Sequence, residues 1–202
     1  MSAQAAEVLA RAGAILTGTH VVYTSGRHGS VYINKDAVYP HTAQIAELCR
    51  QLAELGRPYR PEVVCGPALG GVILAQWTAH ALGALAVYAE KVEGRLALRR
   101  GYDGIVRDRR VLVVEDVVNT GGSLRETVRA VRAAGGIVVA AVALVNRGGM
   151  RASDVEVPAL HALMDLALDA WDAEACPLCR AGVPVNATVG KGREFLAARG
   201  RA

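Results

Sequence analysis

Hydrophobic and polar positions alternate along this chain with two periods, and the switches between them predict its elements. Val8, Leu9, Ala12, Ile15 and Leu16 recur at helical spacing, which predicts a short amphipathic helix over residues 3–16. The stretch "HVVYTSGRHGSVYINKD", residues 20–36, sets two short β-type runs around a Ser-Gly-Arg-His-Gly turn and predicts a hairpin. Thr42 is placed to cap a helix with the apolar stripe Ile45, Leu48, Leu52 and Leu55, which Gly56 ends. The centre then alternates: strand "EVVCG", turn "PALGG", helix "VILAQWTAHAL", strand "ALAVYAE" and strand "VLVVED". Leu124, Val128 and Val131 line a further helix, which Gly135 and Gly136 stop before the buried strand "IVVAAVALV". Strands alternating with helices of this length predict an α/β protein whose mostly parallel sheet is covered on both faces. Ligands of such sheets bind beyond the carboxyl ends of the strands. Residues 90–110 form a long charged connection, and connections of that length are often functional. After residue 146 the pattern weakens to one strand at "LHALMDLAL" and an irregular tail, and there is no internal repeat.

Composition narrows the class. With 202 residues and no linker-like boundary, the expectation is a single domain, 1–202. Apolar residues make up 52%, yet the longest apolar run, Ile137 to Val145, is about half a membrane span, so a soluble protein without a membrane partner is expected. The start "MSAQAAEVLARAG" lacks the pattern of a secretion signal, which points to the cytoplasm. Cys49 and Cys65 fall in periodic apolar segments and read as core. Cys176 and Cys179 have the spacing of half a tetrahedral zinc site, but no second pair lies nearby in the sequence. They read as a reduced thiol pair in a loop, and no metal held directly by protein ligands is expected. Net charge is only +4, and no basic block is interleaved with aromatics, so no nucleic-acid partner is expected. Arginine is nevertheless clustered: Arg95, Arg99, Arg100, Arg107, Arg109 and Arg110 lie close together, with Lys91 nearby, as a small, highly charged anion would require.

The stretch "VLVVEDVVNTGGS", residues 111–123, carries the chemistry. Glu115 and Asp116 at the end of an apolar strand can accept hydrogen bonds from the vicinal hydroxyls of a ribose. In "NTGGS" the glycines permit close backbone approach, and the amides, hydroxyls and dipole of a helix start favour a phosphate. Together they suggest a 5-phosphoribosyl group. The plainer alternative is that Thr120 and Ser123 only cap the helix and the acids are a solvated strand end. The nucleotide P-loop pattern and the dinucleotide glycine pattern are both absent.

This stretch resembles the phosphoribosyl pyrophosphate (PRPP) signature of the type I phosphoribosyltransferases. "YTSGRHGSVYIN", "CGPALGGVILA" and "ALVNRGG" are similar to the orotate branch of that family, over about residues 6–184. The resemblance implies the type I fold: a mostly parallel central sheet flanked by helices, with residues 1–40 and about 150–202 contributing a hood and tail. It implies an orotate phosphoribosyltransferase activity in UMP synthesis. Glu115 and Asp116 would hold the ribose hydroxyls, and Asn119, Thr120, Gly121, Gly122 and Ser123 the 5-phosphate. Ala68, Leu69, Gly70 and Gly71 would meet the pyrophosphate. Ser25, Gly26, Arg27, Tyr32, Thr120 and Arg147 would form the orotate side, with base discrimination in Arg147 and the segment from Tyr23 to Tyr32. Mg²⁺ would arrive with PRPP. Loop 90–107, with Lys91, Arg95, Arg99 and Arg100, would act as a lid over a neighbouring subunit's pyrophosphate in a homodimer, Lys91, Arg95 and Asp116 being the catalytic candidates. The alternative for the loop is a solvated charged hairpin. Three positions depart from the orotate pattern: Thr24 and Gly70 stand where many relatives carry lysine, and Glu90 where they carry arginine. Transfer to another base such as a purine, or a PRPP-sensing regulator without turnover, are the competing expectations.

Overall fold

The computed structural model describes residues 3–23, 25–166 and 169–200. Helix α1 (Ala3–Arg11) leads into a two-stranded antiparallel hairpin, β1 (Ile15–Val22) and β2 (His28–Ile33). The helix over residues 3–16 is therefore shorter than its periodicity suggests. Gly13 turns the chain at φ 67°, and Ile15 and Leu16 pair with Ile33 and Tyr32 across the hairpin. Cross-strand pairing outweighs a helical preference that a nine-residue helix expresses only weakly. Then come α2 (Thr42–Gly56), β3 (Val63–Pro67), α3 (Gly70–Leu82), β4 (Leu85–Val92), β5 (Arg95–Leu98), α4 (Tyr102–Val106), β6 (Arg110–Val118), α5 (Gly122–Ala133), β7 (Ile137–Asn146) and β8 (Leu160–Asp165). His41, not Thr42, is the N-cap of α2, and it makes no side-chain capping bond. Two short helices, α6 (Pro177–Arg180) and α7 (Gly192–Arg199), occupy the tail expected to be irregular. The end of the "LHALMDLAL" strand, at residues 167 and 168, lies outside the described residues, as does Thr24.

The main sheet has six strands in the order β5-β4-β3-β6-β7-β8, parallel except for β5. Residues 90–110, expected as a loop, are instead the end of β4, the antiparallel β5 and α4. Alternate residues of each central strand face opposite layers. Val64, Leu112 and Val114 pack with Leu48, Leu52 and Leu74 of α2 and α3, while Cys65, Val111 and Val113 pack with Leu124, Val128 and Val131 of α5. Burial on both faces explains why these strands read as unbroken apolar runs rather than alternating ones. Cys49 and Cys65 are core residues, as their setting in the sequence suggests. The chain leaves β3 towards β4 on one side and returns through β6 on the other, so the sheet's order reverses between β3 and β6. Their carboxyl ends open a crevice at that point. No helix among the described residues is long and apolar enough to cross a membrane.

Candidate active site

A cleft of about 410 Å³ lies at this reversal, floored by Glu115 and Asp116 of β6 and walled by residues 67–71 after β3. Successive side chains of a strand point to opposite faces, so the two acids meet different partners. Glu115 turns towards α5, where its Oε2 accepts the Ser123 hydroxyl at 2.5 Å and its Oε1 accepts the Asp116 amide at 3.1 Å. Asp116 turns the other way. Its Oδ2 accepts Lys35 Nζ at 2.5 Å and Tyr39 OH at 3.2 Å, and its Oδ1 accepts the Val117 amide at 2.6 Å. Neither acid is a solvated strand end: they are 4% and 5% exposed, and β6 runs on past them to Val118. Burial, and next the adjacent Asp116 charge, push the Glu115 carboxyl up to about 7. At Lys35 burial alone would lower the pKa, but the hydrogen bond and charge of Asp116 outweigh it and raise it. Tyr39 is raised by burial and then by Asp116, so its phenol stays a donor.

The start of α5 is open. Its N-cap is Gly121, left-handed at φ 71°, and no side chain caps the helix. The reading of Thr120 and Ser123 as mere caps therefore fails, because Ser123 is spent on Glu115 and Thr120 is exposed. Uncapped first-turn amides with a positive dipole end are a phosphate site. They border a small pocket of about 150 Å³ running from Val117 to Leu124. The turn after β7 presses against this cradle. The Arg147 amide donates to Val118 O at 2.9 Å, and a Cβ on Gly148 would sit 1.6 Å from Asn119 O, so only glycine admits that approach. Arg147 thereby enters the cleft with its guanidinium carbon 3.8 Å from the centroid of the Tyr23 ring, a cation–π contact. Tyr23 is anchored by donating to Val31 O at 2.6 Å.

The structure sorts the expected residues into three groups. Glu115, Asp116, Asn119, Ser123, Ala68, Leu69, Gly70, Gly71, Tyr32 and Arg147 line the main cleft, and Thr120, Gly121 and Gly122 the adjoining cradle. Ser25, Gly26 and Arg27 do not line the cleft: Arg27 donates to Ala170 O and pairs with Asp172 at 3.5 Å, a contact with the tail. Lys91, Arg95, Arg99 and Arg100 are all exposed and absent from this cleft's lining. Arg95 borders a groove against α5, and Arg100 pairs with Glu90 at 3.2 Å. Two of the three departures acquire a physical setting. Glu90 and Arg100 offset each other, and at Gly70 a Cβ would stand 2.2 Å from Asp116 Oδ2 and 2.7 Å from Tyr39 OH, so a side chain there would have to displace the carboxylate that pairs with Lys35. Lys35 and Tyr39 escape sequence reasoning, because nothing local ties them to an acid 81 and 77 residues away. The only hint is that Lys35 is one of three lysines among 23 basic residues.

A parallel sheet with an acid strand end beside an uncapped, glycine-opened helix at the point of reversal defines a protein of the phosphoribosyl-binding α/β class. Comparison with known proteins narrows it. A family model described as a phosphoribosyl transferase domain matches residues 34–159. The chain is 39% identical to the orotate phosphoribosyltransferase of Caldanaerobacter subterraneus over 85% of this chain and 88% of that protein. It is 41% identical to the enzyme of the same name from Pelotomaculum thermopropionicum, over 88% and 91%. Among solved structures, orotate phosphoribosyltransferase from Aeropyrum pernix superposes with a TM-score of 0.67 at 29% identity, covering 80% of this chain and 93% of that one. The Mycobacterium tuberculosis enzyme in complex with PRPP does so with a TM-score of 0.65 at 29% identity, covering 82% and 96%. The chain belongs to the phosphoribosyltransferase family and, within it, to the orotate phosphoribosyltransferases.

Proposed function

We propose that the protein transfers the 5-phosphoribosyl group of PRPP to a ring nitrogen of orotate, releasing pyrophosphate and forming orotidine 5′-phosphate for UMP synthesis. The observation that carries this reading is the joint placement of the buried Asp116, the uncapped start of α5 and Arg147 around one cleft. The first-turn amides of α5 hold the 5-phosphate, which fixes one end of the sugar. Asp116 accepts a ribose hydroxyl in place of one of its internal donors, and Lys35, displaced from it, keeps a positive charge beside the leaving group. Backbone groups of residues 68–71 approach the pyrophosphate because Gly70 and Gly71 carry no side chain to intervene. Arg147, held by Tyr23, presents a planar pair of donors to the orotate carboxylate or ring oxygens. As the bond from the anomeric carbon to pyrophosphate breaks, charge builds on the departing oxygens. The cleft's fixed dipoles and cations stabilise that charge most where water is excluded.

Mg²⁺ fits this site as an ion carried by the substrate. The carboxylates lining the cleft are Glu115 and Asp116, hard oxygen donors of the right kind, but their oxygens already serve Ser123, Lys35, Tyr39 and backbone amides. When bound, Mg²⁺ neutralises charge on the pyrophosphate. The basic hairpin of β4 and β5 is proposed to close over the neighbouring subunit's site in a homodimer. Support comes from Lys91, Arg95 and Arg99, which are exposed and not among the residues lining their own cleft. Four unpaired cysteines suit a reducing compartment such as the cytoplasm. Loss of orotate absorbance in the presence of PRPP, with and without Mg²⁺ and against a panel of purine and pyrimidine bases, tests the assignment. Turnover of a purine but not orotate would overturn it.

A further inference from the structure

The second ligand pair that the sequence around Cys176 and Cys179 lacks is supplied by the hairpin. His20 of β1 and His28 of β2 bring their rings against the two sulfurs, and the four ligand atoms, one from each residue, all lie within 4.8 Å of one another. His20 Nε2 is 2.8 Å from His28 Nδ1, 3.6 Å from Cys176 Sγ and 3.7 Å from Cys179 Sγ, while Cys179 Sγ is 3.4 Å from His28 Nδ1. We propose that these four residues hold a structural zinc ion that rivets the hairpin to the C-terminal tail.

The geometry matches the ion. Tetrahedral zinc with the usual bond lengths separates sulfur from nitrogen by about 3.5 Å and nitrogen from nitrogen by about 3.3 Å. Three of the four sulfur–nitrogen separations already lie near that value, and the two rings need part by only about 0.5 Å to admit the ion. The surroundings also orient the donors. His20 Nδ1 lies 2.7 Å from the carbonyl of Val183, so it must carry the hydrogen, and the lone pair of Nε2 is left to point into the cluster. The Cys179 amide donates to Cys176 Sγ at 3.5 Å, which holds that sulfur in place beside the rings. His20, His28 and Cys176 are at most 1% exposed. Two soft thiols and two imidazoles packed together, three of the four side chains out of water, form a costly core arrangement if nothing binds them. Charge balances on loading: two thiol protons leave to solvent, two neutral imidazoles give lone pairs, and the dication meets two thiolates. With all four positions filled by protein, no site remains for a metal-bound water, so the role is structural.

The position of the rivet gives it a consequence. Beyond the cluster, the tail is held to the hairpin by Asn186 N on His20 O and Lys191 N on Val22 O, and Gly190 of that segment lines the cleft together with Tyr23. Tyr23 follows directly on β1 and carries Arg147, so the ion fixes the roof under which the base would lie.

Metal analysis of the full-length chain purified without chelator should find about one zinc per chain. The reduced apoprotein titrated with Co²⁺ should develop thiolate-to-cobalt absorption and tetrahedral d–d bands that Zn²⁺ then displaces. Removing the ion with a strong chelator should lower the wild-type Tm by roughly 5 °C or more, reversibly, because an ion bound only to the folded state adds to its stability. Cys179→Ser, at the least buried ligand, should weaken the cobalt spectrum and shrink the chelator effect. A wild-type chain that carries no zinc and, after reduction, shows no cobalt–thiolate absorption overturns the proposal whether or not any variant folds. A Cys176–Cys179 disulfide in protein isolated with thiols protected from air overturns it as well.

Discussion

Two corners of this molecule bind chemistry by opposite routes. At the carboxyl end of β6, thirteen consecutive residues supply the strand, the two acids, the glycine-opened turn and the helix start. At the joint between hairpin and tail, four side chains from three separate segments meet, with His20 and Cys176 lying 156 residues apart. The first corner is built for a ligand that arrives and leaves, and its groups are partly satisfied by neighbours that can be exchanged, Lys35 on Asp116 among them. At the second, three of the four side chains are buried, and an ion there would have every position filled by protein. Substitutions at the first corner should therefore change kinetics with little effect on folding, and those at the second should act first on stability.

The largest effect should come from Asp116→Asn. It removes the charge that faces both Lys35 and the sugar while keeping the side chain's shape, and kcat/KM for PRPP should fall about 100-fold, ~2.7 kcal/mol of transition-state stabilisation. Its melting temperature should stay close to that of the wild type, and a large drop in melting temperature with unaltered kinetics would erase the contrast between the two corners. Next, Arg147→Ala should raise the KM for orotate by about tenfold or more, since a charge-assisted pair is worth roughly 1.5–3 kcal/mol. Calorimetric binding of PRPP should be unaffected, and loss of both would mean that Arg147 supports the phosphate cradle rather than the base.

A smaller effect is expected from the hairpin. Lys91→Ala and Arg95→Ala should reduce kcat by about tenfold with the orotate KM unchanged, as for residues that act only when a mobile element closes. Mixing either variant with Asp116→Asn subunits should recover turnover if the hairpin serves the neighbouring site. Unimproved turnover in the mixture would return these residues to a solvated hairpin. Smallest of all should be the pH signature of Glu115. Its carboxyl is raised in the folded state from an ordinary 4.5 to about 7, so the folded form holds this proton more tightly than the unfolded one. Its stabilising contribution is complete below the unfolded value and is lost as pH rises through about 7. The wild type should lose more thermal stability between pH 5 and pH 8 than Glu115→Gln does, and parallel melting profiles for the two would remove the raised pKa from the account.

Legibility in the sequence follows the distance over which each feature is made. The alternation of elements was readable because strands buried on both faces must be continuously apolar and the helices between them must be amphipathic. The Glu115 to Ser123 motif was readable because a strand end, a left-handed glycine and a helix start are set by neighbouring residues. Ile15 and Leu16 went the other way: helical spacing suggested one element, and pairing with Ile33 and Tyr32 decided another. The 90–110 stretch hid a strand because a four-residue edge strand such as Arg95–Leu98, charged and half-exposed, carries little periodic signal.

By itself, then, the sequence determined the class of fold, and the acid strand end and glycine-opened helix start that border the cleft, since each arises from local backbone preference and from the burial that fixed periods impose. Only the tertiary structure decided that Lys35 and Tyr39 face Asp116, that Tyr23 supports Arg147, that Gly70 abuts the Asp116 carboxylate, and that two histidines lie against the Cys176 and Cys179 pair. Those contacts join residues far apart along the chain, and their positions depend on how whole layers pack rather than on any run of neighbouring residues.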